Sequence, residues 1–244
     1  MTQRLPDLTM EKVDTYTLRV AHWKAEKETG KRPLLFFNGI GANLELAFGL
    51  GDMIPDRDIL TFDMPGIGES EPPVWPYLPW QMGRVARQLI EQRGWYDLDV
   101  MGVSWGGAMA QQFAIQHRTR VKRLILCATT AGITMVPGRP EVLMKLRDPR
   151  RYSDPQYMRD NFSTLYGDND KEGAHSHAMS LKAPHPRGYL FQMLAMAGWS
   201  SLPFIRFLRM PSLVIMGAED RIVPVVNGHI LNTALPNSRL HILE

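Results

Sequence analysis

Apolar residues along the chain fall into short runs and helical stripes that alternate. Val13 to Val20 alternates apolar and polar positions and predicts one half-exposed strand. Pro33 to Phe37 and Ile59 to Phe62 are short apolar runs and predict buried strands. The first runs into Asn38-Gly39 and the second into Asp63-Met64-Pro65-Gly66, both loop-forming sequences. Met82, Val85, Ala86, Leu89 and Ile90 recur at helical spacing, with Gly94 as a stop. Leu98 to Met101 predicts a strand, Ala108 to His117 a helix, and Arg123 to Ala128 a strand. Ser212 to Met216, Val225 to Leu235 and Ser238 to Leu243 predict strand, helix and strand. This alternation specifies an α/β fold, a mostly parallel sheet with helices on both faces.

The alternation fails between residues 132 and 208. No buried strand pattern occurs there, and the stretch is rich in Met, Pro, Arg and aromatics, with Trp199 and Phe204 near its end. It predicts a helical cap, or lid, inserted into a core made of residues 1–131 and 209–244. Such a cap would lie over the C-terminal ends of the strands, where open α/β sheets bind ligands.

Composition narrows the function classes. The chain has 244 residues, 44% of them hydrophobic and 22% charged, enough for one large soluble α/β unit. Net charge is +3 and the basic residues are scattered. Arg147, Arg150 and Arg151 form the densest cluster, but Asp148 interrupts it, so it reads as a solvated face and no nucleic-acid partner is expected. The single cysteine, Cys127, allows no internal disulfide and reads as a buried strand thiol in a reducing compartment. Met1 to Met10 has no signal-peptide core, and no apolar run is long enough for a bilayer span. A cytoplasmic enzyme is expected.

The chemistry centres on Gly102-Val103-Ser104-Trp105-Gly106. This G-x-S-x-G pentapeptide stands between a predicted strand and a predicted helix. On such a turn a serine hydroxyl projects from the top of a sheet, and small residues let the strained backbone pass its neighbours. A serine nucleophile needs a base and an oxyanion site. One oxyanion donor is expected from the Trp105 amide. The other is expected from Asn38-Gly39-Ile40-Gly41, where Gly39 and Gly41 would let the Ile40 amide face the carbonyl. Gly39-Ile40-Gly41 and Gly66-Ile67-Gly68 are only fragments of a dinucleotide fingerprint, so no cofactor is expected. The acid should end a later strand. Asp220 in Gly217-Ala218-Glu219-Asp220 is the choice, with Glu219 as the alternative and capping of the helix near Pro224 as its structural role.

The histidine is the difficulty. It belongs after the last strand, yet only Glu244 follows Leu243. His241 lies within that strand, His229 within a helix, and His22 and His117 far upstream. His175, His177 and His185 fall in the cap. His175 and His177 lack a third metal ligand, so no metal is expected; a cap histidine as substitute base is the lesser alternative to a base missing from the chain. The pattern leads to the expectation of a C-terminal end that stops short of the base-bearing loop and a closing helix, with marginal stability.

With these residues placed, the chain resembles the intracellular depolymerases of medium-chain-length polyhydroxyalkanoates, members of the α/β-hydrolase superfamily. The resemblance runs from about residue 33 onward. It rests on residues 36–46, 102–114 and 131–138, on Pro149-Arg150-Arg151-Tyr152, and on Ala197-Gly198-Trp199. It implies the α/β-hydrolase fold, cleavage of 3-hydroxyalkanoate esters, and association with storage granules. It also implies Ser104 as nucleophile and Asp220 as acid. The family's histidine, which would sit a few residues past Leu240-His241-Ile242-Leu243, has no counterpart. Related polyester synthases place cysteine at the nucleophile, so Ser104 points to hydrolysis. A hydrolase of small esters, lactones or C–C bonds, and a non-catalytic granule-binding protein on the same scaffold, are the alternatives.

Overall fold

The computed structural model describes residues 4–27, 29–148, 150–166 and 179–244. Asp14 takes a left-handed conformation, φ 53°, and turns the chain back on itself. The run expected as one strand over Val13–Val20 is therefore the middle of a hairpin, β1 (Asp7–Val13) paired antiparallel with β2 (Tyr16–Trp23). The remaining strands lie close to their predicted places. They are β3 (Leu34–Phe37), β4 (Ile59–Phe62), β5 (Leu98–Val103), β6 (Val121–Cys127), β7 (Ser212–Gly217) and β8 (Ser238–Leu243). They form one sheet in the order β1-β2-β4-β3-β5-β6-β7-β8. From β4 onward the neighbours run parallel.

A short helix, α1 (Leu50–Met53), follows β3. The stripe of Met82, Val85, Ala86, Leu89 and Ile90 builds α2 (Pro79–Glu91) and is fully buried against the sheet. Helix α3 (Trp105–Gln116) is buried on nearly every side, which erases its amphipathic pattern, and α9 (Val226–Ala234) packs on β7 and β8. Together these helices cover one face of the sheet through Phe37, Val100, Leu126 and Val214. On the other face, Trp23, Leu34, Phe36 and Ile59 pack against Leu44 and Ala47.

Between β6 and β7 the described residues form helices: α4 (Pro140–Arg147), α5 (Arg150–Ser153), α6 (Pro155–Tyr166), α7 (Pro186–Ala195) and α8 (Leu202–Ile205). Proline opens α4, α6 and α7, a position where its missing N–H removes no helix bond. Val142, Met158 and Leu165 make a small core of their own. Polar contacts tie this stretch to the sheet. Lys182 Nζ pairs with Glu45 at 2.6 Å and Glu69 at 2.8 Å, and Asn43 Nδ2 donates to the Ser180 carbonyl at 2.8 Å. Burial works against the Glu45 carboxylate, yet hydrogen bonds from Lys182, Asn43 and Arg19 hold its pKa down at about 2. Gly66, read in sequence as part of a weak nucleotide fingerprint, has φ 78° and lies against Gly188 of α7. A side chain there would come within 2.7 Å of the Gly188 Cα.

Candidate active site

Ser104 joins β5 to α3 with φ 55° and ψ −122°, a strained conformation for a residue with a side chain. Its surroundings hold it there. The Ser104 amide donates to the Cys127 carbonyl at 2.9 Å, and the Ser104 carbonyl accepts from the Gly107 amide at 2.9 Å and Thr129 Oγ1 at 2.7 Å. A side chain on Gly102 would run into the Gly106 carbonyl, and one on Gly106 into the carbonyl oxygens of Phe37 and Asn38. Cys127 is half-buried, and burial pushes its thiol up to about 11, so it stays protonated at neutral pH.

The loop after β3 reaches Ser104. A Cβ built on Gly39 would lie 3.9 Å from the Ser104 Cβ in ordinary contact, so Gly39 faces the site without needing to be glycine for its fold. Gly41 is different. Its φ is 67°, and a side chain there would collide with the Tyr152 hydroxyl. The peptide between Ile40 and Gly41 is gripped at both ends. Its carbonyl accepts from Tyr152 Oη at 2.9 Å and Arg151 Nη2 at 3.4 Å, and its N–H donates to Gln192 Oε1 at 2.8 Å. Gln192, 1% exposed, also accepts Trp105 Nε1–H on its own carbonyl at 3.1 Å. Among the described residues the Ile40 and Trp105 amides donate to no protein acceptor, and Trp105 begins α3, where backbone N–H groups and the helix dipole favour negative charge.

Asp220 follows β7 and is half-buried. Its Oδ1 accepts from the Ile222 and Val223 amides, both at 2.8 Å, which fixes the carboxylate. It does not cap α9, which starts at Val226 with Val225 as its N-cap. Glu219 is exposed. Two apolar cavities meet at Ser104. One, of about 430 Å³, has Ile40, Leu146, Arg151 and Asp220 on its wall; the other, of about 400 Å³, has Trp105, Ile133, Met135 and Trp199. Both are bounded by Ile222 and Val223. Arg151 is thus not on a solvated face, because docking onto Ile40 buries it to 6% exposure.

Among the described residues no histidine lines either cavity. His22 packs on Trp95 and His117 on Phe113, and burial lowers the pKa of both. His185 caps α7, accepting from the Arg187 amide at 3.2 Å, while His229 and His241 are exposed. His175 and His177 lie outside the described residues. The carbonyl of Leu243, at the end of β8, accepts from the Ala218 amide at 2.8 Å, so the end of β8 lies beside the Asp220 loop.

The sheet order, with a strained serine after β5 and an aspartate after β7, is that of one class of fold. Residues 32–186 match the model of the alpha/beta hydrolase fold family. The chain is 40% identical over 216 residues to the poly(3-hydroxyalkanoate) depolymerase of Ectopseudomonas oleovorans, covering 87% of this chain and 76% of the relative. It therefore belongs to the α/β-hydrolase family and, within it, to the family of that depolymerase. A 2-hydroxymuconate semialdehyde hydrolase of Pseudomonas putida is 29% identical over 196 residues, covering 76% of this chain and 68% of the relative. The crystal structure of the enol-lactonase from Burkholderia xenovorans LB400 superposes with a TM-score of 0.79 at 20% identity, covering 97% of this chain and 91% of that one, a likeness of fold. Family membership supports hydrolysis of esters as the activity. No helix among the described residues is long and apolar enough to cross a membrane.

Proposed function

We propose that this protein hydrolyses the ester bonds of poly(3-hydroxyalkanoates) through an acyl-enzyme on Ser104. The observation that carries this is the position of Ser104 where two apolar cavities meet, since an ester inside a polymer has alkyl-bearing chain on both sides. Ser104 Oγ attacks the ester carbonyl carbon while a histidine takes its proton. The Ile40 and Trp105 amides hold the oxyanion. The C–O bond then breaks, the departing alcohol takes the proton from the imidazolium, and water repeats the sequence to release the acid. Asp220 holds the imidazole. The place for that ring is between Ser104 and Asp220, beside the end of β8. Residues 132–208 act as the cap and residues 1–131 with 209–244 as the core. Exposed Met144, Leu190, Met193 and Leu194 give the cap an apolar surface suited to a storage granule in the cytoplasm.

Gln192 holds the surroundings of both oxyanion donors, its side chain accepting the amide of Gly41 next to Ile40 and its backbone carbonyl accepting the Trp105 indole N–H. Gln192→Leu keeps the backbone contact and removes the acceptor for the Gly41 amide. The expected result is a fall in kcat of about ten- to a hundredfold, less than or equal to the loss of an oxyanion donor itself, with KM little changed. Steady-state kinetics on a soluble ester checks this.

Substrate scope is tested by comparing turnover of a poly(3-hydroxyalkanoate) suspension with that of short soluble esters and lactones. The proposal expects cleavage of the polymer. Turnover of the small substrates alone would make the protein a small-ester hydrolase instead.

A further inference from the structure

Arg151, on α5, is a buried cation with no counter-charge among the described residues. It stands on the wall of the larger cavity with Ser104. Its partners are neutral. Nη2 donates to the Ile40 carbonyl at 3.4 Å and meets the hydroxyl of Tyr152, and the guanidinium stacks 4.2 Å over the Tyr152 ring. Its Nε is buried and has no acceptor among the described residues. The neighbouring acid in sequence, Asp148, pairs with Arg150 instead, at 2.6 Å. Asp220 shares the cavity, but its Oδ1 is taken by backbone amides, and it forms no ion pair with Arg151. A guanidinium withdrawn from water without an anion is unfavourable. Its planar fork matches a carboxylate, which would supply the missing charge.

The position of this group relative to the reaction centre says which carboxylate. Arg151 touches the carbonyl of Ile40, the residue whose amide is the proposed oxyanion donor. At the carboxyl end of a 3-hydroxyalkanoate chain, the terminal carboxylate is separated from the last ester carbonyl carbon by the ester oxygen and two carbons, with the carboxyl carbon next. With the ester carbonyl at Ser104 and its alcohol side in the larger cavity, that carboxylate falls in the cavity whose wall carries Arg151. We propose that Arg151 binds the terminal carboxylate of a polyester chain, so that cleavage proceeds from the carboxyl end. This rests on the hydrolase reading above. The bond from Ser104 Oγ to the acyl carbon forms, the ester C–O bond breaks, and the last monomer leaves as a hydroxy acid with its proton from the base. The shortened chain stays on Ser104 and runs into the second cavity, past Met135 and Trp199.

The test uses the linear dimer of 3-hydroxyoctanoic acid and its methyl ester, titrated calorimetrically into the Ser104→Ala chain, where no turnover occurs. The free acid is expected to bind about tenfold or more tightly than the methyl ester. In the Ser104→Ala, Arg151→Met double variant the ratio is expected to fall to about one. Equal binding of acid and ester, or of neither, overturns the proposal without need of the second variant, and so does a ratio that survives Arg151→Met. Hydrolysis of the methyl-ester dimer by the parent chain, with imidazole added, reports separately on the reaction. Cleavage of acid and ester with equal efficiency would sink the role of Arg151 and leave the hydrolase reading standing. Cleavage of neither, nor of simple esters, would sink the hydrolase reading.

Discussion

Ser104→Ala is expected to remove ester hydrolysis, with kcat falling on the order of 10⁶ where the base is in place. Among the described residues the hydroxyl is the one nucleophile shared by the walls of the two cavities, and the backbone there is strained to present it, with φ 55°. The alternative nucleophile nearby, Cys127, is held protonated by burial and lines neither cavity. Alanine removes one oxygen and leaves the turn's backbone bonds to Cys127 and Gly107 intact, so binding and folding should persist while turnover disappears. Hydrolysis of a soluble ester measures the loss. Activity within tenfold of the parent would mean that chemistry runs elsewhere.

Gly106→Ala is expected to destabilise the fold by more than about 4 kcal/mol, read from urea midpoints. The added methyl would meet the carbonyl oxygens of Phe37 and Asn38, which are backbone at the end of β3. Neither can retreat cheaply, because β3 is paired with β5 through Phe37 and Gly102. The same shift would displace the Asn38–Gly41 loop from Ser104, so residual folded protein should be inactive. Gly39→Ala is the contrast. Its methyl would sit at ordinary contact distance, 3.9 Å from the Ser104 Cβ, so stability should stay within about 1 kcal/mol while substrate loses room. A Gly106→Ala chain with the parent's midpoint would contradict the close packing of the turn.

The parallel strands and the serine turn are legible because burial on both faces writes continuous apolar runs, and Gly102 is fixed by the Gly106 carbonyl within the turn itself, although Gly106 answers to Phe37 and Asn38 of the neighbouring strand. The hairpin of β1 and β2 is hard to read because apolar and polar positions alternate on both sides of Asp14-Thr15 and no glycine or proline marks the reversal there. The sequence suggests a solvated Arg151 because charge clusters usually are solvated, whereas its burial depends on Ile40, more than a hundred residues upstream. The sequence signal for Gln192 is slight, one amide side chain inside the apolar run Leu190-Phe191-Gln192-Met193-Leu194. The Ile40 and Trp105 amides could be placed from the motif, but what grips their loop comes from residues 151, 152 and 192, which no local pattern brings together.

On the proposed mechanism Ser104 is a nucleophile set up for an imidazole held by Asp220. Fluorophosphonate labelling read by intact mass tests it most directly, on the 244-residue chain and on Ser104→Ala, each with and without free imidazole. Imidazole from solution can take the place between Ser104 and Asp220 that no described histidine occupies. The expected result is a single adduct on the parent chain, formed faster as imidazole is raised, and none on Ser104→Ala. A folded parent chain that takes no adduct at any imidazole concentration, or an adduct that persists in Ser104→Ala, would contradict it.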